Sequence, residues 1–442
     1  MIKIRCFVEG EKYKVDRIPK EFIEKNYFNK DNDGYFIAKI TGLSHRIERD
    51  EVQSFLFLPK GYHASQLRDE DEKKTLAKII FKTLRKYTKT TKLTDFEQDW
   101  LGENNSQVVG FELIEWLIRD WQHYGFFSIQ SRKFELNGSG KIDWKKTLKT
   151  TYPIIYEEEV IYPNLWTFKN INMSDNMVTD IHKSIIREII QNFGWLYDLP
   201  KMSFDTCINL SDDKKIIFLQ KKLNEVNAGR EINLLKNLIS YLSEKESNRQ
   251  QMTLVTPYFY AIYEKILQKQ FQHNREINKF VPKPYWILDG DLEKRYSRQV
   301  PDILIETEGD GLAILDAKYY SITEINEDQE ILDSSIKKFP GWEAIVKQLY
   351  YSTSMGKRYS NIENIFVMPE NMNESYRYVG YTGVEGYESI FGIILAYTVN
   401  IKKILNDYLN DENNSELLSD IINDAVNNRT EILRNLAEVK SN

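Results

Sequence analysis

Apolar residues recur along this chain with two different periods, and the switches between them mark its organisation. Ile2 to Val8, Tyr35 to Ile40 and Val52 to Leu58 are short β-branched or aromatic runs broken by Gly, Pro, Asn and Asp, a pattern that predicts strands. From Asp69 to about Tyr87 the period lengthens, and Leu76, Ile80 and Leu84 stand four apart as on one helix face. A second helix is expected near Val109 to Tyr124, carrying Leu113, Trp116 and Leu117. Phe126 to Leu136, the turn Asn137-Gly138-Ser139-Gly140 and Lys141 onward predict a hairpin, with further strands to about Phe168. Helices follow over Val178 to Phe193, Asp212 to Leu223 and Glu231 to Leu242, separated by polar joins rich in Glu and Lys. From about residue 252 a helix, several strands, a helix and more strands are expected, and Thr398 to Asn442 reads as a helical, acidic tail. No period of roughly 20 to 50 residues repeats, so a solenoid is not indicated.

A chain of 442 residues exceeds one compact core, and roughly two to four domains are expected. The pattern suggests 1–150 as a β-rich then helical N-terminal domain, and 151–250 as a strand-then-helix middle. A mixed sheet with flanking helices would occupy 251–400, and 401–442 would be the tail. The expected class is therefore α+β or α/β.

One segment carries chemistry. Pro301 to Glu306 reads as a strand, Thr307-Glu308-Gly309-Asp310-Gly311 as a turn whose two glycines supply unusual backbone angles, and Leu312 to Tyr320 as a second strand. Side chains alternate with period two, so Leu312, Ile314, Asp316, Lys318 and Tyr320 share one face, and Ala313, Leu315, Ala317 and Tyr319 the other. Both faces are largely apolar, which predicts a buried strand that nevertheless holds a carboxylate and an ammonium. Such groups are costly without partners.

Symmetric pairing about Gly309 would set Asp302 directly opposite Asp316, on the same face. Two close carboxylates repel unless a cation sits between them, and a hard divalent ion such as magnesium, or manganese, resolves the conflict. Lys318 would project into the same site, to orient or help deprotonate a water and to stabilise a pentacovalent phosphate, while the metal lowers the water's pKa. A one-residue slip in the turn would move Asp302 to the wrong face. A bare Asp-x-Lys is unselective; a Pro-Asp strand, short turn and apolar-Asp-Ala-Lys strand is much more so. The competing account is an internal Asp316–Lys318 ion pair, with Asp302 capping a turn.

Glu264, Pro301-Asp302, Asp316-Ala317-Lys318 and Gln348 together resemble the catalytic core of PD-(D/E)XK nucleases. The wider pattern is similar to the LlaJI family of restriction endonucleases, akin to McrC-type restriction subunits. Phe57-Leu58-Pro59-Lys60-Gly61, Gly140 to Thr147, Pro340-Gly341-Trp342, Lys347-Gln348 and Tyr350 extend it over nearly the whole chain. The resemblance implies a restriction-endonuclease-like mixed sheet and assigns Asp302, Asp316 and Lys318 as the catalytic triad, with Asp302 and Asp316 as magnesium ligands.

It also implies weaker roles for two more residues. Glu264, on a helix expected over Tyr258 to Phe271 with Tyr260, Ala261 and Leu267 beside it, would reach the metal; otherwise it is an exposed Glu paired with Lys265. Gln348 matches the Gln of a Gln-x-x-x-Tyr motif, but Ser352 stands at the fourth position and tyrosines at 350 and 351, so a plain polar helix residue is an equal reading. Double-stranded DNA would be the substrate, with a separate McrB-like AAA+ NTPase subunit and a cognate methyltransferase as companions. Cutting both strands favours a homodimer or partner-driven assembly.

Composition narrows the remaining options. Hydrophobic residues at 41% and charged residues at 29% are an ordinary globular balance, and 27 Tyr with 22 Phe predict an aromatic-rich core. The net charge of −6 argues against an electrostatic DNA coat, although a binding groove needs only local positive potential. No run of about 18 apolar residues and no signal peptide is visible, so a cytoplasmic location without membrane contact is expected. Only Cys6 and Cys207 occur, far apart, which excludes a disulfide framework or Cys-rich zinc site. His45, His63, His123, His182 and His273 lack metal-ligand spacing, and there is no P-loop. The basic helix with Lys74, Lys78, Lys82, Arg85, Lys86 and Lys89 reads as a solvated face before a phosphate contact. Lys141, Lys145, Lys146 and Lys149, near Trp144, would line DNA or decorate a hairpin. A non-catalytic DNA-binding scaffold, or a nuclease of recombination or repair, are the alternatives to a restriction endonuclease.

Overall fold

The three N-terminal β-branched and aromatic runs do form strands, β1 (Lys3–Val8), the short Phe36–Ala38 and β3 (Glu51–Leu58), and a further strand that the pattern did not announce, β2 (Thr41–Glu48), lies between the last two in the chain. The computed structural model describes residues 3–48, 51–102, 106–173, 177–202, 208–227, 229–246, 251–288, 292–295, 297–322 and 339–441; Cys207 lies outside them. Strands β2 and β3 form a hairpin, and β1 runs parallel to β3 with Val8 opposite Leu58. The fourth strand, β4 (Gln251–Thr256), arrives from far along the chain and pairs antiparallel with β2. Phe7, Phe22, Tyr27, Phe28, Phe55 and Phe57 build an aromatic core here, with rings meeting edge-on or stacked.

That late pairing decides the architecture. The chain forms two compact units, residues 1–108 with 251–442, and residues 109–250. The four consecutive segments expected from sequence are not these units, because no local pattern announces a strand that pairs about 200 residues upstream.

Helix α1 (Glu70–Thr90) starts at Asp69, whose carboxylate accepts from the amides of Asp71 and Glu72, and buries Leu76, Ile80 and Leu84. Its basic face is not wholly solvated, which corrects the expectation. Arg85 is buried, and Lys86 Nζ donates to the carbonyls of Tyr408 and Leu409 (2.7 and 3.1 Å), the last two of a helix, where a cation meets the negative end of the helix dipole.

In the unit of residues 109–250, helices Met177–Phe193, Asp212–Leu223 and Gly229–Glu246 form as the periodicity predicts. The expected hairpin at Asn137 does not. Strand Trp166–Met173 lies between Ile129–Leu136 and Lys141–Ile142, because the Asn137 amide and side chain bond Leu165 and Asn164 instead of closing a tight turn. Where more strand was expected, Asp143 accepts from the Lys146 amide and starts a helix, Trp144–Thr150. Lys146 Nζ lies 3.7 Å from the Trp166 ring centroid and 4.4 Å from that of Phe134, while Trp144 stays exposed.

The second sheet of the larger unit comprises β5 (Ile303–Thr307), β6 (Gly311–Ala317), β7 (Asn361–Glu370), β8 (Tyr376–Thr382) and β9 (Ile394–Asn400), in the order β5-β6-β7-β9-β8. The β5–β6 pair is an antiparallel hairpin, β6–β7 and β7–β9 are parallel, and β8 closes antiparallel on β9. Helix α2 (Phe259–Gln270) precedes the sheet, and α3 (Trp342–Met355) lies within the β6-to-β7 crossover that a parallel pair requires. Helices α4 (Ile401–Leu409) and α5 (Ser415–Ser441) follow. The protein is thus a mixed α+β structure with several mixed sheets. Among the described residues no helix is long and apolar enough to cross a membrane.

Candidate active site

The hairpin register is the one expected from symmetry about Gly309: Ile303 pairs with Leu315 and Thr307 with Gly311, which brings Asp302 opposite Asp316. The unusual angles fall on Gly309 (φ +66°) and Asp310 (φ +56°), whereas Gly311 is required for another reason. A Cβ there would lie 2.1 Å from the Thr307 hydroxyl. Leu312 to Leu315 are fully buried and Asp316 is 8% exposed, so β6 is the buried, charge-bearing strand its sequence predicts.

At the end of this strand three groups converge. Asp302 Oδ2 accepts from the Ala317 amide (2.9 Å), and its carboxyl hydrogen-bonds the Asp316 carboxylate. Burial, followed by that bond and the Asp316 charge, pushes the Asp302 carboxyl up to about 9. The pair therefore shares one proton near neutral pH. Lys318 Nζ lies 2.6 Å from Asp316 Oδ2, so the internal ion pair does form, yet Asp302 is more than a turn cap because it faces Asp316.

Glu264 projects from α2 toward this group. Its carboxyl is raised chiefly by burial, with Asp316 adding to the rise and Lys265, Lys347 and Lys318 opposing it; its Oε1 accepts from Gln268 Nε2 (3.0 Å). Gln348 is fully buried on α3, where its Nε2 donates to the Ile314 carbonyl (3.0 Å). That bond stitches α3 to β6. Tyr351, one turn on and 2% exposed, feels the charges of both Asp316 and Asp302. Its hydroxyl has no partner among the described residues. In the sequence Tyr351 stands out only as a departure from a motif spacing, and nothing there marks Phe366, whose ring centroid lies 5.5 Å from Lys318 Nζ.

A second cluster missed in the sequence fixes the residue after Lys318. The Lys60 amide donates to the Tyr319 hydroxyl (2.9 Å), which donates to Glu9 Oε2 (2.9 Å); Thr41 Oγ1 donates to the same oxygen (2.8 Å). Lys60 Nζ also reaches the Tyr319 carbonyl (3.3 Å). Next to it, Gly61 adopts φ +96° and a Cβ would stand 2.6 Å from the Pro369 carbonyl oxygen, while the Asn371 amide donates to the Gly61 carbonyl (2.8 Å). The Lys60-Gly61 pair thus straps the N-terminal strands to β7 and to the chain beyond Lys318.

Among the described residues no group of three or more His, Cys, Asp or Glu forms a metal-ligand cluster. The donor set is instead two abutting carboxylates with a third carboxylate acting through charge. Magnesium suits such a set, since it is commonly held by one or two carboxylates and keeps several waters. The shared proton is the price of the repulsion that a cation would relieve.

Comparison with known proteins places these residues in a family. Residues 50–399 match the family described as LlaJI restriction endonuclease. The chain belongs to that family. All five candidate site residues, and the Lys60-Gly61 strap, fall inside the matched range. Over 434 residues the chain is also 26% identical to the type II restriction enzyme BsuMI component YdjA of Bacillus subtilis (strain 168), covering 92% of this chain and 89% of that protein. Among solved structures it is similar, at 12% identity and a TM-score of 0.33, to a chain of the Thermococcus gammatolerans assembly of McrB AAA+ hexamers with bound McrC, covering 92% and 99% of the two chains. A LlaJI-family chain is a restriction-system protein.

Proposed function

We propose that this chain is the nuclease component of its restriction system, a magnesium-dependent endodeoxyribonuclease that hydrolyses phosphodiester bonds in double-stranded DNA. The observation that carries this reading is the juxtaposition of Asp302, Asp316 and Lys318 at the end of one buried hairpin. The β5–β6 hairpin, the parallel crossover through α3 and the Glu-bearing α2 support a PD-(D/E)XK arrangement of this sheet.

Asp302 and Asp316 would hold the ion, with Glu264 at its periphery; manganese meets the same donors. When bound, a divalent cation lowers the pKa of a water and neutralises charge developing on the phosphate. With an ion held there, Asp302 would release its proton to solvent, leaving both carboxylates as acceptors. Lys318 orients the attacking water and donates to the phosphate oxygen, and Asp316 holds its ammonium in place.

The word "component" in the name of the B. subtilis relative supports a multi-subunit enzyme. The proposed companions are an AAA+ NTPase subunit and a cognate methyltransferase, with a dimer of this chain or partner-driven assembly supplying two active sites. The N-terminal strands are assigned to recognition or partner binding. The test is restriction in cells carrying the whole system: wild type should reduce transformation by unmodified plasmid, and Lys318→Ala should abolish that reduction. Undiminished restriction by Lys318→Ala would overturn the assignment.

A further inference from the structure

Away from the carboxylate pair, the first strand and the segment after it line an open concavity of about 630 Å³. Arg5, Lys12, Lys14 and Arg17 line it, together with the exposed Tyr35. This is a concentration of positive charge on a chain of net charge −6. Among the described residues, Lys12 is paired, with Asp31 and Asp33, but Arg5, Lys14 and Arg17 have no carboxylate partner. Glu11 is the acidic residue in the lining, and its charge is already engaged. It accepts from the Tyr13 hydroxyl (2.9 Å) and the Ala64 amide (3.3 Å), and lies 3.4 Å from His63 Nδ1.

Unpaired cations crowded into one concavity repel each other, so their clustering asks for an anion. The three are solvent-exposed rather than sunk in an enclosed pocket. Small anionic ligands are bound by enclosing them with fixed donors, whereas exposed lysines and arginines along an open wall suit a polyanion whose counterions they displace. Arginine adds a fork that matches a phosphate, and an exposed tyrosine offers a face to sugar or base. Arg5, Lys12, Lys14, Arg17 and Tyr35 all precede residue 50, where the family match begins.

We propose that this cavity is a docking surface for the phosphodiester backbone of the DNA substrate, separate from the residues that cut it. The identity of the polyanion rests on the nuclease reading above. Phosphate contacts of this kind set position and affinity without reading sequence.

The test is binding of a long random-sequence duplex to the full chain in EDTA, followed by fluorescence anisotropy across a salt series. The triple variant Arg5→Ala/Lys14→Ala/Arg17→Ala should lose affinity by at least about tenfold near 0.1 M salt, and its log–log salt slope should fall by roughly 2 to 3, since each phosphate contact contributes about 0.9. Arg17→Glu alone should weaken binding in the same direction, and both variants should retain the wild-type melting temperature. If both bind duplex with wild-type affinity and slope, the inference is overturned while the nuclease reading stands. If they bind weakly but Lys318→Ala still cuts, the nuclease reading fails and the docking surface stands.

Discussion

Asp302 and Asp316 face each other across the first turn-closed pair of the second sheet, close enough to share a proton, with the Ala317 amide holding Asp302 in place. Such a pair is stable in one of two ways, protonated or bridged by a cation. Its consequences are measurable without any knowledge of the recognition sequence.

The first is a pH dependence of metal-free stability. Asp302 titrates near the ordinary carboxylate value when unfolded but at about 9 when folded, so between about 4 and 9 the folded state holds the extra proton. Stability from this group is therefore complete below about pH 4 and is lost as pH rises through 9. In EDTA the wild type should lose melting temperature across that range more steeply than Asp302→Asn, which stays neutral throughout. Parallel curves would contradict the shared proton.

Metal addition should reverse the trend. Magnesium binding at the pair must displace the proton, so affinity should rise with pH and titration near pH 7 should release protons. Asp302→Asn and Asp316→Ala should abolish the magnesium-dependent rise in melting temperature. Equal stabilisation of wild type and both variants would place the ion elsewhere.

Tyr319→Phe isolates the strap behind Lys318. The ring keeps its neighbours Phe259 and Tyr263, at centroid distances of 5.8 and 5.9 Å, but the hydroxyl between the Lys60 amide and Glu9 is gone. Burial already raises the Glu9 carboxyl, so losing a donor should cost about 1–3 kcal/mol. DNA cleavage should fall in kcat, with KM for DNA unchanged. A change confined to KM would assign the strap to DNA binding instead.

Gln348→Leu and Gly61→Ala probe two structural contacts. The first removes the α3-to-β6 bond to the Ile314 carbonyl and should destabilise by about 1–3 kcal/mol while leaving duplex affinity intact. The second forces a Cβ against main-chain atoms of Pro369 at a positive φ, where neither side can yield cheaply, and should cost more than about 1 kcal/mol. Chemical denaturation measures both.

What the sequence made legible was local. The carboxylate pair follows from a short turn, period-two alternation and the cost of burying charge, all contained within about twenty residues from Asp302 to Tyr320. Likewise helices α1, α2 and α3 follow from apolar spacing. What stayed hidden depends on distant partners: β4 joining β2, Lys86 capping α4 through the Tyr408 and Leu409 carbonyls, and Glu9 meeting Tyr319. The Asn137 turn failed as a hairpin because Asn137 found better partners at Leu165 and Asn164 than its own turn offered. Tyr351 is marked by the buried helix face it shares with Gln348, which a fixed motif spacing does not capture.

The most direct measurement is magnesium-dependent cleavage of mixed duplex DNA by the purified chain, alone and with its companion NTPase subunit, beside Asp302→Asn, Asp316→Ala and Lys318→Ala. The account predicts that the wild type cuts, most strongly with the companion present, and that each variant loses on the order of 10²-fold or more. Cleavage by all four proteins at the same rate would show that the Asp302–Asp316–Lys318 cluster holds the hairpin together and does not break DNA.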